Sequence, residues 1–203
     1  MKNLIILSAI GMASFSIVAC NNTNKSFSGN TKDTTSATNA APATATAMST
    51  AAKSGVDPKT TASVKEMVGN YLQLKNALTK DNSNDAATAG KAVSEGFAKL
   101  DQTVLTQEQK KSYTDIADDA KEMAEHIGKS AGNIPHQREH FDMLSKDMVD
   151  LVKLFGAGEP LFVDHCPMYN NKGADWLSET KDIKNPYLGT KMPTCGSVKE
   201  ELK

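Results

Sequence analysis

Between Val64 and Phe155, apolar residues return at steps of three and four in four successive stretches, each bounded by a turn signal. That period is the α-helical one, so most of this chain can fold only by packing helical faces against each other. The first stretch carries Val64, Met67, Val68, Tyr71, Leu74 and Leu78, with Asp57-Pro58 just upstream as its start region. The second runs from about Asp85 to Thr103 and places Ala89, Val93, Phe97, Leu100 and Val104 on one side. Its alanines favour helix but add little core volume. The third opens on Thr106-Gln107-Glu108-Gln109 and continues through Tyr113, Ile116, Ala120, Met123 and Ile127, stopping near Gly128 or Gly132. Thr at the cap with Gln three residues on is a capping box, in which hydroxyl and carboxamide satisfy orphan amides reciprocally. The fourth begins around Pro135, carries Phe141, Leu144, Met148, Leu151, Val152 and Phe155, and ends at Gly156-Ala157-Gly158. Pro suits a first helical turn. Short connections between four such helices predict an all-α, up-and-down four-helix bundle.

From Glu159 the pattern changes. Pro160, Pro167, Pro186 and Pro193 exclude one long helix. The expectation is an irregular Cys/Met-rich segment packed on the bundle, with short strands at most around Leu161-Phe162-Val163. Phe162, Trp176, Leu177, Tyr187 and Leu188 are its expected anchors.

The other end of the chain reads as an address. Met1-Lys2-Asn3 and the apolar run from Leu4 to Ala19 form an export signal over residues 1–19, too short and too interrupted for a membrane span. Ile17-Val18-Ala19-Cys20 resembles the lipobox of bacterial lipoproteins, which implies that Cys20 is lipidated and anchors the chain in a membrane. Residues 20–55 are dominated by Asn, Thr, Ser and Ala, a composition that cannot offset chain entropy by burial and predicts a disordered tether. Residues 56–203 are then one helical domain, on the periplasmic or cell-surface side. With 23 Lys+Arg against 24 Asp+Glu there is no basic field for nucleic acid. No phosphate loop, nucleophile elbow or His-Glu-x-x-His helix is present, so no enzyme is expected.

Chemistry concentrates in the tail, where His165-Cys166-Pro167-Met168 and Met192-Pro193-Thr194-Cys195-Gly196 pair thiols with thioethers. Such soft donors favour Cu(I) over zinc, calcium or magnesium. Two cysteines in an exported domain also suit a disulfide. A Cys166–Cys195 bond would close a loop worth about 3 to 4 kcal/mol in the chain-entropy view. Met168 and Met192 could equally be gap-filling core residues. His165 adjoins Cys166 and is either exposed or a ligand, while His136 and His140 are one turn apart on one helix face. His126, near the end of helix three, reads more simply as a favourable C-terminal charge and is left out of the site. Trp176 is expected as a packing anchor.

Several of these motifs occur together in a family. Gln137-Arg138-Glu139-His140-Phe141-Asp142-Met143-Leu144-Ser145 is similar to its R-x-x-F-x-x-L-S helix. Cys166-Pro167-Met168, Gly173-Ala174-Asp175-Trp176-Leu177, Ile183-Lys184-Asn185-Pro186-Tyr187-Leu188-Gly189 and Met192-Pro193-Thr194-Cys195-Gly196 follow in that family's order. From Val64 to Val198 the chain resembles the domain of unknown function found in bacterial lipoproteins and at the C-terminus of copper/silver efflux membrane fusion (adaptor) proteins. The resemblance implies handling of Cu(I) or Ag(I) outside the cytosol, with Cys166, Met168, Met192 and Cys195 at the sulfur positions. His140 or His165 would add an imidazole. An efflux-system component is the implied partner, although nothing in this sequence corresponds to the adaptor's own hairpin and barrel domains. The competing expectation is a structural or interaction lipoprotein domain stapled by a Cys166–Cys195 disulfide.

Overall fold

The computed structural model describes residues 53–203. The export segment, Cys20 and all but the last three residues of the tether lie outside the described residues. Four helices follow in order: α1 (Pro58–Thr79), α2 (Ser83–Lys99), α3 (Gln107–Lys129) and α4 (Ile134–Phe155). Each begins where a side chain can accept from an otherwise unpaired amide of the first turn. Asp57 accepts from Lys59 N, Asn82 from Asp85 N, and Asn133 from His136 N. The Thr106–Gln109 box forms as expected, with both reciprocal bonds made, at 3.2 and 3.0 Å. At the other end of α4, Gly156 adopts φ 78° and returns its amide to Val152 O, which stops the helix.

The second helix is shorter than its apolar period suggested. It ends at Lys99, and Leu100 turns extended at φ −62°, ψ 124°. Asp101 then accepts from Thr103 N and starts a separate 3-10 turn over Gln102–Val104, leaving Val104 half-buried instead of in the core. A local carboxylate cap here outcompetes continuation of the helix.

Consecutive helices pack on each other and α1 closes against α4, giving a helical bundle. Val64, Val68, Leu74, Val93, Tyr113, Ile127, Phe141, Leu144, Met148 and Phe155 fill its core at 6 % exposure or less. Phe141 stacks on Tyr71 with centroids 5.2 Å apart. Burial of a ring of this size contributes about 1.5–3 kcal/mol.

The tail corrects the expectation of an irregular segment. It forms a three-stranded antiparallel sheet from β1 (Leu161–Cys166), β2 (Ala174–Ser178) and β3 (Ser197–Leu202), in the order β2-β1-β3. Val163 pairs with Leu177 and Cys166 with Ala174, while a bulge between Val163 and Asp164 shifts the register to β3. The prolines that argued against order all lie outside the strands, so none removes a ladder hydrogen bond. β3 is an edge strand carrying Lys199, Glu200 and Glu201, charges that discourage pairing with another chain. Trp176, Leu177 and Tyr187 are the buried anchors, with Phe162 nearly so and Leu188 partly buried.

One hydrogen-bonded cluster joins sheet to bundle. Tyr71 Oη of α1 lies 2.7 Å from Ser145 Oγ of α4 and accepts from Leu177 N–H of β2 at 3.2 Å. Tyr187 Oη donates to Asp175 O at 2.6 Å and its ring packs on Phe141, Tyr169 and Trp176. Burial holds both phenols well above their ordinary range, against the lowering effect of their hydrogen bonds to Ser145, so they stay protonated.

Two stability predictions follow from this packing. Tyr71→Phe leaves the Leu177 amide without an acceptor and should cost about 1–3 kcal/mol in urea unfolding, with an unchanged m-value. A loss below measurement error would show that the joint does not depend on this hydroxyl. The second concerns Asp147 of α4. Burial first, then the carboxylates of Asp119 and Asp150, push it from 3.8 up to about 6. The folded state then holds this proton more tightly than the unfolded chain, so its stability falls as pH rises through that window. Asp147→Asn should be more stable than the parent at about pH 7.5, with the difference vanishing towards about pH 3.5. Equal stability at the higher pH would disprove the assignment.

Candidate functional site

Cys166 ends β1, and Cys195 lies in the loop that leads into β3. Three local devices bring the second thiol to the first. Met192 O accepts from Cys195 N at 3.3 Å, closing a turn over Met192-Pro193-Thr194-Cys195. Asn185, fully buried, donates from Nδ2 to Cys195 O at 2.6 Å and from its backbone N to Pro193 O at 2.8 Å. Its Oδ1 accepts from Tyr187 N and Leu188 N, so one carboxamide ties the Asn-Pro-Tyr turn to the cysteine loop. Gly196, at φ 141°, lets the backbone run close along β1, because a Cβ there would sit 2.7 Å from His165 O and 3.0 Å from the Trp176 ring.

The result is a pair of free thiols 3.4 Å apart. A disulfide would need about 2.05 Å. Two thiolates bound to one ion at about 2.3 Å each would lie about 3.5–4 Å apart. Cys166 is fully buried and Cys195 half-buried. The sulfur contact with Cys166, then burial, push the Cys195 thiol up. Asp164, two residues before Cys166 on the same strand, is buried with neither carboxylate oxygen partnered, and burial pushes it to about 7 against the pull of Lys75.

Met168 and Met192 are 55 % and 40 % exposed. Neither fills the core, so the gap-filling role does not describe them. They stand on the surface two and three residues from the two thiols.

The histidines go elsewhere. His165 is the strand neighbour of Cys166, so its side chain projects to the other face of β1. There Nδ1 lies 2.6 Å from Asp175 Oδ1, whose second oxygen takes Lys199 at 2.7 Å. Hydrogen bonds from Lys199 and His165 outweigh the upward push of burial and hold the Asp175 carboxyl below its ordinary value. His140 meets His136, His126 and Met123 in the hairpin between α3 and α4. Along an α-helix each residue turns about 100°, so His136 and His140 lie within about 20° of the side opposite Arg138. Arg138 is the residue that reaches the tail, donating to Pro186 O at 2.7 Å, to Leu78 O at 2.9 Å and to Asp81 Oδ1 at 2.5 Å. The structure therefore brings Cys166 and Cys195 together and separates His140 from them. Burial first, then the charges of His136 and His126, lower the His140 pKa. His126, set aside on sequence grounds, belongs to the imidazole group; its spacing of ten and fourteen from His136 and His140 across a predicted hairpin was the available signal.

A concavity of about 360 Å³ between α1 and α2 is lined by Gln73, Asn76, Ala77, Lys80, Asp85, Thr88 and Ala89 and touches none of these groups. Among the described residues no helix is long and apolar enough to cross a membrane.

The unequal burial of the two thiols makes a kinetic prediction. Brief treatment of the reduced protein with iodoacetamide should label Cys195 before Cys166, read by peptide mass spectrometry. Equal labelling, or Cys166 first, would contradict the arrangement.

No curated protein and no solved structure matches the chain. Residues 67–159, from the middle of α1 to the residue after Gly158, match the family described as "Protein of unknown function (DUF3347)".

Proposed function

We propose that this protein is a membrane-tethered, extracytoplasmic carrier that binds Cu(I) or Ag(I) for sequestration or for hand-off to an efflux system. The observation that carries the reading is the unbonded Cys166–Cys195 pair at 3.4 Å, with Cys195 held by backbone and carboxamide hydrogen bonds and Cys166 by its place in β1. Two thiolates at that spacing need only a few tenths of an ångström of adjustment to share a soft ion. Met168 and Met192 would complete the donor set from the surface, where a thioether is free to turn toward an incoming ion. Partial exposure of Cys195 and exposure of both thioethers suit a site that must pass its cargo on, since a receiving protein can attack it without unfolding the sheet. Lipidation at Cys20 would supply the membrane address, and residues 20–55 the reach, roughly 30 Å for a flexible chain of that length.

Binding requires both thiols to ionise, so it should weaken as pH falls. Anaerobic titration of the reduced protein with Cu(I) against a competing chelator should give one equivalent with Kd far below about 1 mM. Changing Cys166→Ser and Met192→Leu together should abolish competition with the chelator. Millimolar affinity, or no loss in the double variant, would remove the proposal.

A further inference from the structure

Three of the chain's four histidines converge at one place, although only two of them are close in sequence. His126 stands in the last turns of α3, and His136 and His140 in the first turns of α4, with the four-residue turn 130–133 between the helices. One ring nitrogen from each lies within 4.8 Å of the others. His136 and His140 meet at right angles with centroids 4.5 Å apart, and His126 stacks on His140 at 4.5 Å. We propose that His126, His136 and His140 form an imidazole site for a borderline divalent transition ion, Zn²⁺ or Cu²⁺, separate from the thiol pair.

The argument rests on hydrogens. His136 Nδ1 faces Glu139 Oε2 at 3.4 Å, His140 Nδ1 faces Met123 Sδ at 3.3 Å, and the two Nε2 atoms face each other at 3.1 Å. Carboxylate and thioether only accept, so the two outer contacts each require an N–H on Nδ1. An imidazole in its neutral, metal-binding form carries one hydrogen, and in both rings that hydrogen is then used at Nδ1. What remains at the centre is two Nε2 lone pairs pointed at one another, an arrangement that a cation between them resolves. A tetrahedral ion with nitrogen ligands at about 2.0–2.1 Å sets them about 3.3–3.4 Å apart, close to the separation already present. Glu139 is then the outer carboxylate that fixes the tautomer of a metal-bound imidazole, and Met123 does the same for His140. His126 is exposed at its side chain, 47 %, with Nε2 3.7 Å from Glu122 Oε1, so it is free to rotate inward as the third ligand. An open fourth position fits the exposure of His126 and His136. Imidazole donors suit zinc and copper(II), whereas the thiol pair suits Cu(I) or Ag(I).

The test uses the full chain carrying Cys166→Ser and Cys195→Ser, so that no ion can be held by the thiol pair and failure of the Cu(I) reading leaves this one intact. Co²⁺ is titrated in and read through its visible ligand-field bands, then displaced with Zn²⁺. The expected result is one equivalent of Co²⁺, released by Zn²⁺. His140→Ala and His136→Gln should each lose more than about 100-fold in Co²⁺ affinity, Glu139→Gln about 10-fold, and His165→Ala nothing. Circular dichroism of each variant confirms that the helices persist, and His136→Gln, at a 41 % exposed side chain, serves should His140→Ala not fold. No stoichiometric Co²⁺ in the parent, undiminished binding in His136→Gln, or loss in His165→Ala would each overturn the proposal.

Discussion

The contact on which the rest of the molecule depends is the buried meeting of Tyr71, Ser145, Tyr187 and the Leu177 amide. This three-stranded sheet needs a partner layer, since β1 buries residues along nearly its whole length. The bundle supplies that layer, and the phenol and hydroxyl supply the polar complement that a strand amide requires once water is excluded. α1, α4, β2 and the Asn-Pro-Tyr turn meet there, so every element that positions Cys195 is referred back to one point in the core.

The same contact ties the Arg138–Ser145 stretch of α4 to the tail. Arg138 binds the carbonyl of Pro186, Phe141 packs between Tyr71 and Tyr187, and Ser145 bridges the two phenols. The Asn-Pro-Tyr-Leu-Gly run is mostly scaffold: its asparagine holds the cysteine loop and its tyrosine anchors that loop to the helices. Thr190 and Arg138 close the far side on Asp81, whose carboxyl is held below its ordinary value by their hydrogen bonds despite burial. Most of these motif residues serve to bring the loop of Cys195 against Cys166 at the end of β1.

The helices were legible because their apolar period and caps are local signals. Thr106 with Gln109, Pro58, and Gly156 each mark an end through atoms within one turn. The early stop of α2 was not legible, because Asp101 competes with a period that continues to Val104. Sheet order in the tail is illegible for a different reason. β3 is almost wholly exposed and shows no apolar alternation, and it is ordered only by pairing to β1. The grouping of the histidines is likewise long-range: proximity on one helix is legible in sequence, but which neighbouring helix faces them is not.

By itself, the sequence determined four amphipathic helices, their caps, and a tail whose prolines and glycines require turns, because these follow from interactions among residues a few positions apart. It also determined that two thiols and two thioethers lie in that tail. Only the tertiary structure decided that Cys166 and Cys195 lie 3.4 Å apart unbonded, that Met168 and Met192 are exposed, and that His140 pairs with His126 and His136 instead of with the two cysteines. Those are long-range outcomes. They depend on which helix faces meet and on where a buried asparagine and a phenol find their partners, and no local pattern encodes either.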